Sequence, residues 1–104
     1  MFCNSSNKDK CMIVRKHMLI SGDVQGVGFR YRARYAASEY GLTGYVRNLY
    51  NGKVELEVQG ERDLISRFLG SIDAGSFIHI DDIETKNMEV DPEERSFRVL
   101  HDGY

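Results

Sequence analysis

The sequence predicts an α+β domain in which two helices cover one face of an antiparallel sheet. Two stretches repeat their apolar residues with the helical period, and several others alternate apolar with polar residues as half-buried strands do. Between two of the alternating stretches lies the pair Asn51-Gly52, which favours a tight hairpin. We therefore expect the element order β-α-β-β-α-β, with a short extra strand at the C-terminus.

The first strand is predicted over residues 12–21, ahead of a glycine-rich loop. Its apolar residues share one face of the strand: Met12, Val14, Met18 and Ile20. Residues 1–11 are rich in Asn, Ser, Lys and Asp, and we expect them to form a disordered N-terminal extension. The folded domain is then expected over residues 12–104.

The first helix is predicted from Phe29 to Tyr40, where the apolar period changes from two to 3.6. Its apolar stripe comprises Phe29, Ala33, Ala36, Ala37 and Tyr40. Gly41 suits the left-handed residue that commonly ends a helix, and Leu42 is placed for the hydrophobic contact that accompanies it. The glycine-rich loop therefore leads directly into a helix N-terminus.

The second and third strands are the arms of the predicted hairpin. The first arm extends from Thr43 to Asn48. In the second arm the apolar residues Val54, Leu56 and Val58 alternate with Glu55, Glu57 and Gln59. This alternation is typical of a strand with one buried and one wet face. We expect Gly60 to end this strand.

A second helix and two more strands complete the domain. The helical stripe comprises Leu64, Ile65, Phe68, Leu69 and Ile72, and a loop over residues 73–76 follows it. The fourth strand is marked by Ile78, Ile80 and Ile83, and the short last strand, after a charged turn at Pro92, by Phe97 and Val99. The whole order is the split βαβ, or ferredoxin-like, arrangement.

Composition limits the classes of function. A chain of 104 residues suggests one domain, and its net charge of −2 lacks the basic footprint of most nucleic-acid-binding proteins. No stretch approaches the roughly 20 apolar residues of a membrane span, and the N-terminus has no apolar signal region. We therefore expect a protein with no nucleic-acid or membrane partner.

Cysteines and histidines give no sign of a disulfide framework or a metal. Cys3 and Cys11 are interpreted as incidental reduced thiols, which favours a cytoplasmic location. The three histidines share no ligand spacing, and no Cys, His and carboxylate cluster suggests a metal site. No spare apolar face is evident, so we expect a monomer. We also expect no cofactor.

Residues 22–30, GDVQGVGFR, predict an anion-binding loop at a strand-to-helix junction. Glycines let the backbone turn sharply so that its N–H groups face one point, and the helix N-terminus adds positive partial charge. Arg30 follows in the first helical turn, where its guanidinium can fork onto two phosphate oxygens. From the glycines alone, a structural turn beside a surface arginine is the favoured interpretation.

Two other glycine-loop classes do not fit. A Walker loop ends in Gly-Lys-Ser/Thr, whereas Gly28 is followed by Phe29 and Arg30. A dinucleotide fingerprint counted from Gly26 needs glycine where Tyr31 stands, and it needs a parallel βαβ context that this sequence lacks.

The string GxVQGVGFR resembles the signature of the acylphosphatase family. A second block of that family, a GxVRN strand followed by an NG turn and V-E, matches residues 44–48 and 51–55. The intervening helix also ends with Gly-Leu as the family's helix does, and the likeness covers roughly residues 12–101. Two departures are Tyr45, where the family usually has tryptophan, and Gly75-Ser76, where it usually has Gly-Pro.

The resemblance implies a metal-independent hydrolase that cleaves the carboxyl–phosphate bond of acyl phosphates, its small-molecule substrates. It implies that Asn48 orients the attacking water and that Arg30 binds phosphate together with the backbone N–H groups of the loop. The loop residues are Gln25, Gly26, Val27, Gly28, Phe29 and Arg30. Inorganic phosphate is then expected to be both product and inhibitor.

Three alternatives stay open beside this interpretation. RNA-recognition domains share the βαββαβ order, but they need aromatic strand motifs, and the third strand reads KVELEVQ. A phosphate-binding domain of the same fold could keep Arg30 and lack turnover. An acylphosphatase-like domain also opens larger carbamoyl-transfer proteins, but from the length of 104 residues we expect a small separate enzyme instead. Because side chains alternate along a strand, Arg47 is expected to point away from Asn48.

Overall fold

The computed structural model describes residues 12–75 and 77–101, and the predicted extension at residues 1–11, with both cysteines, lies outside them. The helices and strands are β1 (Ile13–Asp23), α1 (Phe29–Tyr40), β2 (Thr43–Asn48), β3 (Val54–Glu61), α2 (Arg62–Asp73), β4 (His79–Met88) and β5 (Phe97–Val99). The predicted β-α-β-β-α-β order with a short extra strand is therefore confirmed.

The strands form one sheet in the order β4-β1-β3-β2-β5. β1 pairs antiparallel with β3 and β4, and β2 pairs antiparallel with β3, as a ferredoxin-like sheet requires. The fifth strand departs from the predicted antiparallel sheet, because β5 pairs parallel to β2. The reason is the route of the chain. β4 runs opposite to β1, so the segment 89–96 crosses at the end where β2 begins, and β5 must run in the direction of β2.

The core lies between the two helices and one face of the sheet. It includes Met18 and Ile20 of β1, Leu56 of β3, Phe29 of α1 and Phe68 of α2, each at most 1% exposed. These residues fall at the predicted period of two in the strands and 3.6 in the helices, so burial of the apolar stripes holds the two layers together.

The end of α1 is built as its sequence predicts. Gly41 adopts a left-handed conformation, with φ 68° and ψ 34°, and its N–H donates to the carbonyl of Ala37. The N–H of Leu42 donates to the same carbonyl, and the Leu42 side chain is buried. This closes the helix and turns the chain into β2.

Gly60 does not end β3, so that prediction was wrong. The strand continues through Gly60, opposite Val14, to Glu61, and α2 follows without a loop. A side chain at position 60 would collide with the Leu42 side chain. The glycine is there because another residue approaches its backbone closely, which is a common reason for glycine inside a strand.

The face of the sheet opposite the helices, here called the helix-free face, carries a network of ion pairs around Arg15. This buried guanidinium bonds to Glu57 at 2.5 Å and to Glu94 of the crossing segment at 2.8 Å. Gln59 also binds both the N–H and the carbonyl of Asp91, at 2.7 and 2.9 Å. The crossing segment is thus attached to the sheet by polar contacts.

Burial and charge shift the pKa values of the acidic groups on this face. Burial is the largest single effect and raises the pKa of Glu94, but the hydrogen bonds from Arg15 and Thr43 and the charge of Arg15 together outweigh it and leave that pKa below its ordinary value. The pKa of Glu55 is lowered in the same way, with burial opposed by contacts from His17 and Arg47. Burial, with the nearby charges of Glu57 and Glu55, raises the pKa of Tyr45 to about 12.

Candidate active site

The candidate site is a surface depression of about 220 Å³ between the start of α1 and the end of β2. Its lining residues come from the glycine-rich loop, the first turn of α1 and the last residue of β2: Val24, Gly26, Gly28, Phe29, Arg30, Tyr31 and Asn48. The fold therefore brings together the arginine and the asparagine that the sequence singled out.

The loop owes its course to two glycines with positive φ. Gly26 has φ 71°, and Gly28, the residue before α1, has φ 84° and ψ 13°. Residues other than glycine rarely adopt these backbone angles, although a Cβ at either position would meet nothing within 4 Å. The glycines are thus required by backbone conformation, and they leave open space above the loop.

The N–H groups of this loop are not used up by the fold. In the part of the chain that the structure describes, residues 24–28 donate no hydrogen bond from their N–H groups to another backbone group. The first helical hydrogen bond of α1 runs from the N–H of Arg32 to the carbonyl of Gly28 at 3.0 Å. A helix start also directs N–H groups and positive partial charge outward, so this corner suits an anion.

Phe29 and Arg30 are adjacent but take opposite parts. The Phe29 ring is 1% exposed and lies in the core, where it fixes the first turn of α1. Arg30 is half-buried beside the depression. The buried ring thus anchors the helical turn that carries Arg30.

Asn48 lies at the opposite wall and is 8% exposed. Among the described residues, its Oδ1 is the single buried side-chain nitrogen or oxygen atom without a hydrogen-bond partner. A buried polar atom with no partner costs roughly 1–3 kcal/mol, so such atoms are rare outside sites that bind something. Asn48 therefore presents an unused polar atom inside the depression.

Gln25, for whose side chain the motif predicted no contact, has a structural role. Its side chain leaves the depression and donates from Nε2 to the carbonyls of Leu49 and Lys53, at 2.5 and 2.8 Å. It thus ties the loop to the turn that follows Asn48. This amide therefore links the loop wall of the depression to the segment that follows Asn48.

Three further positions refine the predicted site. Val27 does not line the depression and instead packs against the core. Val24 and Tyr31 do line it, although neither was predicted as a site residue. Their signal was adjacency, since Val24 lies in the loop and Tyr31 follows Arg30. Arg47 lies on the helix-free face and is paired with Glu55, as the alternation of β2 predicts.

The described residues contain no group of three His, Cys, Asp or Glu side chains placed to hold a metal ion. None of the helices in residues 12–75 and 77–101 has the length and apolar content needed to cross a membrane.

Comparisons of this chain with known proteins agree on one family. A model of the acylphosphatase family matches residues 16–99. An acylphosphatase of Clostridium perfringens is 44% identical over 86 residues, which is 82% of this chain and 97% of that protein. One from Geobacillus thermodenitrificans is 39% identical over 90 residues, which is 86% of this chain and 96% of that protein.

Solved structures agree. The fold superposes on the crystal structure of acylphosphatase from Bacillus subtilis with a TM-score of 0.77 and 28% identity, covering 86% of this chain and 99% of that one. It also matches full-length HypF, crystallised with phosphate and nucleotide, with a TM-score of 0.77 and 33% identity. That match covers 88% of this chain and 12% of HypF, so the chain spans about an eighth of that protein.

Proposed function

Since the chain belongs to the acylphosphatase family, whose members hydrolyse acyl phosphates to a carboxylate and inorganic phosphate, we propose that the depression at the start of α1 is the active site. Arg30 and the N–H groups of residues 25–30 hold the phosphoryl group, and Asn48 orients the attacking water. The observation that carries this assignment is the unpartnered Oδ1 of Asn48 in the same depression as Arg30.

The phosphoryl group is held by charge and by geometry. The Arg30 guanidinium keeps its charge at all physiological pH values and offers parallel donors to two phosphoryl oxygens. The loop N–H groups and the start of α1 add donors that are fixed before the substrate arrives. Because phosphoryl transfer spreads charge over three equatorial oxygens, fixed donors aimed at those oxygens lower the barrier.

Asn48 acts on the water. A carboxamide has an acceptor oxygen and a donor NH₂, so it can fix both the position and the orientation of a water molecule. It is not basic enough to remove a proton at neutral pH, so a phosphoryl oxygen of the substrate accepts the proton of the water. The water oxygen bonds to phosphorus as the bond from phosphorus to the acyl oxygen breaks.

The leaving group explains why so few side chains suffice. A carboxylate departs without protonation by a strong acid, so positioning and electrostatics are the main tasks left to the protein. Arg30, the loop and Asn48 supply these tasks without a metal ion. Metal independence, a monomeric state and a cytoplasmic location stay predictions of the sequence.

The experiment that tests the assignment is hydrolysis of benzoyl phosphate by the wild type, Arg30→Ala and Arg32→Ala, with and without a chelator. We expect Arg30→Ala to lose about 10³-fold or more in kcat/KM, and the chelator to have no effect. Arg32 is the matched control, because its Nε donates to the Ser71 carbonyl at 2.9 Å, away from the depression. Its replacement removes an equal charge from the same helix.

Inorganic phosphate gives a second readout. It should inhibit the wild type competitively and raise its Tm, since a ligand that binds the folded state stabilises it. Both effects should vanish in Arg30→Ala. If the wild type bound phosphate through Arg30 but did not turn over benzoyl phosphate, the domain would be a phosphate-binding module and the catalytic proposal would be wrong.

A further inference from the structure

An exposed stripe of α1 begins at the active-site depression and leads away from it. Tyr31, Arg34, Tyr35 and Ser38 have the spacing i, i+3, i+4 and i+7, so they share one face of the helix. These four residues line a shallow cavity of about 360 Å³. Tyr31 also lines the depression with Arg30 and Asn48, so the two cavities share this residue.

The stripe exposes aromatic surface that the fold does not use. Tyr31 is 65% exposed and Tyr35 is 82% exposed, whereas the opposite stripe of α1 is buried in the core. Aromatic rings offer a large contact area at little cost in conformational entropy, which makes them common binding surfaces. Because they lie beside the proposed phosphate site, they would meet the acyl part of a substrate.

Arg34 gives the stripe a charge that the described part of the protein does not neutralise. No described residue forms a hydrogen bond or ion pair with its guanidinium, whereas Arg32, two residues earlier, is bonded to Ser71. The first turn of α1 contains no acidic residue. An anion on this face would therefore meet a cation without a competing partner.

We propose that this stripe is an acyl subsite that selects acyl phosphates whose acyl chain ends in a second carboxylate. The inference rests on the proposed function, since the phosphoryl group must lie at Arg30. Arg34 is four residues further along α1, about 6 Å along the helix axis. A short dicarboxylic chain that leaves the phosphoryl group passes the Tyr31 ring and brings its distal carboxylate to the Arg34 guanidinium.

The subsite affects binding and not the chemical step. The distal carboxylate stays unchanged while the bond from phosphorus to the acyl oxygen breaks, so its contact with Arg34 is equally strong in the ground state and the transition state. A uniform contact of this kind lowers KM and leaves kcat nearly constant. Because Arg34 is solvent-exposed, salt should weaken the contact.

The test compares succinyl phosphate with acetyl phosphate as substrates of the wild type, Arg34→Gln and Arg32→Gln. We expect the wild type to favour succinyl phosphate in kcat/KM. In Arg34→Gln this preference should fall about fivefold, the upper range for one exposed charge pair, and the change should lie in KM. Arg32→Gln, with the same loss of charge, should keep the wild-type ratio.

Two outcomes would overturn the subsite alone. They are an unchanged ratio in Arg34→Gln, and an equal fall in Arg32→Gln, which would indicate general attraction by the basic helix. A wild type that hydrolyses neither compound would instead refute the proposed function, and the subsite with it. Tyr31→Ala should raise KM for succinyl phosphate more than for acetyl phosphate, whereas Tyr31→Phe should not, and equal KM changes would remove Tyr31 from the subsite.

Discussion

Replacing Asn48 by alanine should separate activity from stability. The carboxamide is 8% exposed, and its Oδ1 has no hydrogen-bond partner, so the folded protein bears the cost of burying it. We expect Asn48→Ala to lower kcat strongly while the free energy of unfolding stays the same or increases. A residue retained for packing would give the opposite result, since truncating a well-packed side chain destabilises the fold.

The two magnitudes follow from the site. Loss of a group that fixes a reacting molecule costs about 10²-fold or more in kcat, with a much smaller change in KM. A buried polar atom without a partner costs roughly 1–3 kcal/mol, and its removal recovers part of that cost. The space left opens into the depression of about 220 Å³, so the variant does not create a closed cavity.

The assay combines steady-state hydrolysis of benzoyl phosphate with urea unfolding of the same preparations. Asn51→Ala is the matched control, because Asn51 is exposed and its Oδ1 accepts from the Lys53 N–H at 3.1 Å in the hairpin turn. That variant should lose about 0.5–1 kcal/mol of stability and keep its kcat. The two asparagine variants should therefore show opposite patterns.

A wild-type kcat in Asn48→Ala would refute the water-positioning role. A loss of several kcal/mol of stability would refute the stability argument instead, because it would mean that the carboxamide stabilises the fold through contacts that its unpartnered oxygen does not reveal.

Two further predictions concern residues outside the depression. Gln25→Ala should lower kcat/KM about tenfold or more, since the loop would lose both bonds to the Leu49 and Lys53 carbonyls and shift against Asn48; unchanged kinetics with benzoyl phosphate would contradict this. Glu94→Gln should lower the free energy of unfolding at pH 7 by about 2 kcal/mol, because Arg15 loses a buried partner. The folded-state pKa of Glu94 lies below its ordinary value of 4.5, so its contribution is full above that value and is lost as the pH falls through the folded-state pKa. Denaturant titrations from pH 7 to 3 should accordingly show a flatter acid limb in the variant, and equal slopes would refute the role of this carboxylate.

Local signals predicted most of the fold. Gly41 and Leu42 ended α1 as expected, and Asn51-Gly52 turned the chain between β2 and β3, because such residues act on their own neighbours. Gly60 misled, since its reason is a contact with Leu42, 18 residues away in the chain. A sequence read locally cannot tell a glycine that stops a strand from one that admits a neighbour.

The spacing of the isoleucines in β4 shows the same limit. Ile80 and Ile83 are three residues apart, which a regular strand would place on opposite faces. A register shift opposite Ser21 and Gly22 inserts an extra residue, and both isoleucines pack against the core. The parallel direction of β5 likewise depends on the route of the crossing segment.

The sequence singled out two residues that the structure brings together, but it did not indicate the contact that ties their segments to each other. Arg30 and Asn48 could be singled out because phosphate binding and water positioning restrict residue type. The side chain of Gln25 was unforeseeable, since its partners are backbone carbonyls, and every residue type carries one. Nothing in the letters at positions 49 and 53 marks them as acceptors.

Because of the strand order, recovery of hydrolysis can serve as a probe of sheet assembly during refolding. Arg30 lies in the segment that follows β1, and Asn48 is the last residue of β2, yet these strands are not neighbours, because β3 lies between them. A refolding chain can therefore align the two residues only after β3 has paired with both β1 and β2. The rate at which hydrolysis recovers during refolding would then report the pairing of β3 with β1 and β2. Circular dichroism would report the formation of the helices separately.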